Sequence, residues 1–151
     1  MRYFLALATV GFFAFVATDA QSAERDESME FWRFLVGTWT ITNDEGEQLK
    51  LEIRESDAGS CFIFESESMT IVHGWNPKDN NMRVASFHSN GDHGVGYAYL
   101  DDGKIVGHSD TSTMDGTARA ADWSVTPRGD DQFVFALGDA ERVLEAAEDS
   151  R

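Results

Sequence analysis

Turn-forming clusters punctuate the chain at short, regular intervals from residue 43 onward: "NDEGE", "SDAGS", "NPKDNN", "SNGD", "DDG", "MDG" and "PRGDD". Asn, Asp, Gly and Pro each favour turns for dihedral reasons of their own. Between the clusters lie segments rich in Val, Ile, Thr, Phe, Tyr and Trp, at 38–43, 48–55, 60–67, 69–75, 82–89, 93–100, 104–110, 117–126 and 132–138. Their spacing and composition are those of short β-strands. In "QLKLEIRE", Leu49, Leu51 and Ile53 alternate with Lys50, Glu52 and Arg54, which gives one apolar and one polar face. "LDDGKI" reads as a tight hairpin with Asp-Gly at its tip. No long helical pattern intervenes to carry parallel crossovers, so antiparallel pairing is expected.

Consecutive strands of this kind must hide their edges. Closing into an up-and-down barrel does so completely, whereas a sandwich does so only in part and needs longer crossings than these loops offer. The expected fold is all-β: an antiparallel up-and-down barrel of about 8–10 strands with a short N-terminal helix. For that helix, Ser28 is the expected cap, with Met29, Trp32 and Val36 on one face. The tail "DAERVLEAAEDSR" is compatible with a last strand, a helical turn or disorder.

The first residues have a different character. Arg2 precedes an apolar run, Tyr3 to Val16, too short to span a bilayer, and Thr18-Asp19-Ala20 supplies small residues for cleavage. The expected organisation is a signal peptide at 1–20, a polar leader at 21–28, one barrel domain at 29–144 and a tail at 145–151. The protein is then exported, periplasmic or secreted, with no stable membrane insertion after cleavage. The only cysteine, Cys61 in "GSCFIF", has no internal disulfide partner and reads as a small buried hydrophobe. The net charge of −15 repels phosphate backbones, so nucleic acid is excluded as a partner. Oligomeric state is not legible.

"EFWRFLVGTWTI" adds a further clue. A short helix closing one end of a barrel needs a Gly for close backbone approach, then an aromatic on the first strand to fill the base. Gly37 and Trp39 hold those positions. This start resembles the Gly-x-Trp of the lipocalin and calycin superfamily. The longer order of Leu35 to Trp39, then Gly74-Trp75-Asn76-Pro77, then Phe87-His88-Ser89-Asn90-Gly91 is similar to a lipocalin-like family of uncharacterised exported bacterial proteins. The resemblance covers roughly residues 30–138. It implies a small hydrophobic or amphipathic ligand, and an Arg, here Arg142, packed over the base Trp. Haem-binding relatives of this barrel carry a second motif glycine, which Thr40-Ile41-Thr42 replaces here; no cofactor is expected.

Hairpin arithmetic then locates a candidate site. A turn near Gly91 sets His88 opposite Gly94, and a turn near Asp102 sets Gly96 opposite His108. In that register His88, Gly94, Gly96 and His108 share one face, with two imidazoles flanking a bare glycine strip. Tyr97 and Tyr99 occupy the opposite face and are the second candidate lining, each ring a wall and each hydroxyl a handle. No catalytic residue is assigned: Gly-x-Ser-x-Gly is missing. No metal site is assigned either, because His-x-His and HExxH are missing. The favoured function is binding of a small hydrophobic or amphipathic molecule. The alternatives are an isomerase or hydrolase with a lumenal His88 or His108 base, and a filled barrel that acts as an interaction module. The last would carry a conspicuous apolar surface patch.

Overall fold

The computed structural model describes residues 25–42 and 46–147. The expected signal peptide, residues 21–24 of the leader and residues 148–151 of the tail lie outside the described residues. Residues 25–34 form a helix (α1). Ten strands follow: β1 (Gly37–Thr42), β2 (Gln48–Glu55), β3 (Cys61–Ser66), β4 (Met69–Asn76), β5 (Asn81–His88), β6 (His93–Asp101), β7 (Lys104–Ser112), β8 (Ala118–Pro127), β9 (Gln132–Leu137) and β10 (Ala140–Ala146). Each pairs antiparallel with its sequence neighbours, and β1 also pairs with β10. The result is a closed up-and-down barrel with no free sheet edge. The start of the tail is therefore the tenth strand.

The turns explain why the strands begin and end where they do. Asp102 (φ 46°) and Gly103 (φ 73°) both take the left-handed conformation of a two-residue type I′ hairpin, the geometry for which Asp-Gly is suited. Gly37 enters β1 at φ 146°, open to glycine and strained for other residues.

α1 lies across one end of the barrel, and its limits differ from the sequence expectation. Residues 25–28 are helical rather than leader, and Ser28 is a buried residue within the helix, not its cap. The inserted face is Met29, Trp32 and Leu35; Val36 has already left the helix and is 43% exposed. A tight bond from the Leu35 N–H to the Trp32 carbonyl ends the helix and leads the chain into β1.

Trp39 is buried at this end. Its ring meets Phe133 edge-on at 4.7 Å, and its indole N–H donates to the Leu35 carbonyl at 2.7 Å, which satisfies one orphan acceptor of the helix terminus. Arg142 does not sit over it: Trp39 pairs through Ala146, whereas Arg142 pairs with Phe135 farther along β10. Cys61 lies on the outer face, opposite Gly74, and is half-buried rather than part of the core. The buried interior, which includes Ile53, Phe62, Met82, Ile105, Val125 and Leu144, is continuous with the helix face. Truncating Trp39→Ala should cost about 3–5 kcal/mol, the range for removing an aromatic from a packed core. Denaturant midpoints would check this; a loss below about 1 kcal/mol would place the indole at the periphery.

Candidate functional site

The barrel interior divides into two halves. Near α1 the inward positions are packed shut. Farther away, Ile41, Leu51, Ile71 and Phe135 also point inward but are only half-buried, as are Ser86 and Ser109. These positions lie at the barrel end away from α1, where the apolar ones pack on the core with one side left open. At this end apolar positions on β1, β2, β4 and β9 thus mix with polar ones: Ser86 lies beside Ile71, Arg142 beside Phe135, and Ser109 is on β7.

The floor of this chamber is a ring cluster around His73. Its imidazole lies 4.5 Å from Trp32, 4.7 Å from Phe64 and 5.8 Å from Trp123, centroid to centroid. The residue is 4% exposed, and burial pushes its pKa down to about 3. Its Nδ1 and the nearby Trp32 Nε1 have no hydrogen-bond partner among the described residues, an uncommon condition for buried polar atoms. Trp123, by contrast, donates to Ser109 Oγ at 3.0 Å.

The glycine notch expected from sequence does not exist. His88, Gly94 and Gly96 do lie on inward positions, since Ser86 pairs with Gly94 and Val84 with Gly96. His108, however, pairs with Tyr97, and Gly96 with Ser109, so His108 is on the outside. Nor is the glycine strip bare. A Cβ on Gly94 would sit 2.6 Å from Ser86 Oγ, and one on Gly96 only 2.0 Å from the His108 carbonyl oxygen. On the next strand, a Cβ on Gly107 would meet the Trp123 ring at 2.3 Å. These glycines admit neighbouring chain and rings where the sheet curls. A Gly96→Val variant would be disruptive rather than a mild filling of space.

Tyr97 and Tyr99 face outward with His108. His108 donates through Nδ1 to Asp122 Oδ1 at 2.7 Å, and its Nε2 lies 3.6 Å from Asp110. The Asp122 hydrogen bond, aided by the Asp110 charge, raises its pKa above the usual histidine value. With both ring nitrogens turned toward carboxylates, this imidazole is arranged to carry charge rather than to abstract a proton. Among the described residues, no group of three or more His, Cys, Asp and Glu side chains is placed to hold a metal ion.

Sequence reasoning missed the His73 floor and the Asp122 partner. A signal for the first was present: in "MTIVHGWN" His73 is two residues from both Ile71 and Trp75, hence on their face. Asp122 comes from the adjacent strand, fourteen residues away, and needs the β7–β8 register. No protein-family model matches the chain, and no curated protein matches it.

Neutral His73 makes stability depend on pH. Its folded pKa lies below the unfolded value of about 6.5, so the unfolded chain takes up the proton first. The stabilisation is complete above pH 6.5 and falls as pH drops toward 3, by about 2 kcal/mol between pH 7.5 and 5. His73→Phe abolishes that term. The stability difference between variant and wild type should therefore shift by about 2 kcal/mol in the variant's favour over this range. A pH-independent difference would show that the imidazole is not held neutral.

Proposed function

We propose that this protein is an exported, lipocalin-like binding protein that takes a small amphipathic molecule into the half of the barrel away from α1. The observation that carries the reading is the divided interior: a packed aromatic floor under half-buried inward positions that combine apolar side chains (Ile41, Leu51, Ile71) with a few polar ones (Ser86, Ser109). Ligand sites in small barrels have this makeup, mostly apolar with a few placed polar groups. A closed antiparallel barrel is also compatible with the family resemblance in the Gly37–Trp39 start. Export rests on the sequence of residues 1–20 alone.

A neutral solvatochromic dye such as Nile red suits the test, because the chain's charge of −15 does not repel it. Wild type should bind it saturably. Ile71→Trp, which fills the chamber from β4, should weaken binding by about tenfold, whereas Tyr97→Ala on the outer face should leave it unchanged. Equal binding by a folded Ile71→Trp variant would move the site out of the barrel. Export is checked separately by intact mass: the mature form should begin near Gln21, and a full-length chain retained with membranes would refute a cleaved signal peptide.

A further inference from the structure

The outer face of β5 and β6 departs from the rest of the barrel surface. Val95, Tyr97 and Tyr99 project outward in succession at 61%, 39% and 45% exposure, and Phe87 stands beside them on β5 at 58%. Scattered apolar residues on a surface need no explanation, but a contiguous patch marks an interaction site. The two tyrosines also form the wall between two open grooves. One, about 760 Å³, is bounded by Trp75, Leu100, Glu27, Asp79 and Asp102. The other, about 400 Å³, is bounded by Val106, His108, Asp122 and Ser124.

The charge of these walls selects the occupant. Glu27, Asp79, Asp102 and Asp122 are all acidic; Asp79 is bonded to Arg83, the cross-strand neighbour of Tyr97, and Asp122 to His108, so the charge offered to a partner is that of Glu27 and Asp102. An anionic partner is therefore disfavoured. So is a second copy of this chain, which would bring another −15 and the same acidic rim. The protein already contains the pairing that the surface favours. The His108 ring stacks on Tyr97 with centroids 5.9 Å apart and planes 28° from parallel, while Asp122 and Asp110 face its nitrogens. A planar nitrogen ring lies over a tyrosine face with carboxylates at its nitrogens. Arg is the side chain that reproduces this arrangement from outside, through its flat guanidinium and forked donors.

We propose that Tyr97 and Tyr99 form a docking platform for an arginine-bearing segment of a partner polypeptide, with guanidinium groups stacked on the rings and paired to Glu27 and Asp102 of the adjoining groove. The site lies on the outer face and does not depend on what the interior binds.

The probe is an acetylated, amidated Gly-Arg-Gly-Arg-Gly peptide, with a citrulline-substituted peptide of the same shape as the neutral control. Binding is measured calorimetrically at about 0.15 M salt, where long-range attraction is screened. Wild type should bind the arginine peptide and not the citrulline one. The double variant Tyr97→Ala/Tyr99→Ala, unchanged in net charge, should bind about tenfold more weakly. Tyr97→Leu/Tyr99→Leu keeps apolar bulk on a strand and should lose affinity similarly, which covers the case of an alanine variant that fails to fold. Equal affinity of wild type and a folded double variant would reduce the effect to non-specific charge attraction and overturn the proposal. So would equal binding of both peptides, or no binding by wild type. Binding of a neutral oligosaccharide in place of the arginine peptide, or a wild-type dimer that the tyrosine variants dissociate, would assign the platform to another occupant and overturn it equally.

Discussion

Everything in this protein depends on the seam between β1 and β10. With that pairing made, each described strand has a neighbour on both sides and the sheet closes on itself. Closure also fixes the interior volume, so the end next to the seam has to be filled. Trp39, on β1, does this through three contacts at once: Phe133 on β9, Phe34 on α1, and the Leu35 carbonyl at the helix terminus. One indole thus ties the closing strand to the plug. The position of α1, and with it the insertion of Trp32 between Phe62, Phe64 and His73, follows from that tie.

The far side of the wall answers the same volume constraint with small residues. Large rings crowd the floor from α1, β3, β4 and β8, while β6 and β7 present Gly94, Gly96 and Gly107 inward. Gly107 pairs with Trp123, and the indole lies where a Cβ would be. Interiors pack at nearly crystalline density, so an inward position cannot be enlarged without moving something else. Gly107 is the complement of Trp123, while Gly94 and Gly96 admit the neighbouring strands as the sheet curls.

Strand positions were legible because they rest on local chemistry. Turn residues and alternation place β2 at 48–55 in sequence and structure alike, and the other eight expected strands to within two residues, while β10 lies in the tail that the sequence left open. Which face of a strand points inward is not local, and β7 shows why. A turn centred on Asp102 puts His108 opposite Gly96, inside; the real turn is centred between Asp102 and Gly103, which puts it opposite Tyr97, outside. Half a residue in the turn centre inverts the whole strand. The Asp-Gly tip already held the right answer, since two left-handed residues, not one, make the turn. On the β5–β6 hairpin the turn centre is instead misplaced by a whole residue, which shifts the partners by two and leaves parity intact. His88, Gly94 and Gly96 were consequently assigned to one face correctly. The helix limits were obscured for a different reason. Ser28 resembles a cap in sequence, and only the packing of α1 against the barrel carries the helix past it.

Stability alone does not account for His73. A leucine or phenylalanine at this inward position would pack against Trp32, Phe64 and Trp123 without leaving an unpartnered nitrogen, which costs about 1–3 kcal/mol when buried. The imidazole also stays uncharged only because its surroundings are dry, so the floor becomes less stable as the medium turns acidic. Trp32 repeats the pattern with an indole N–H that finds no acceptor among the described residues, though Trp39 and Trp123 both find one. Two of the floor's polar atoms are thus left open in an otherwise apolar layer, directly under the chamber that Ile71 and Ser86 line. On the binding reading this compromise has a use. An apolar floor alone would hold an amphipathic molecule in any orientation, whereas a hydrogen-bonding point at the bottom would favour ligands that bring a polar group to it.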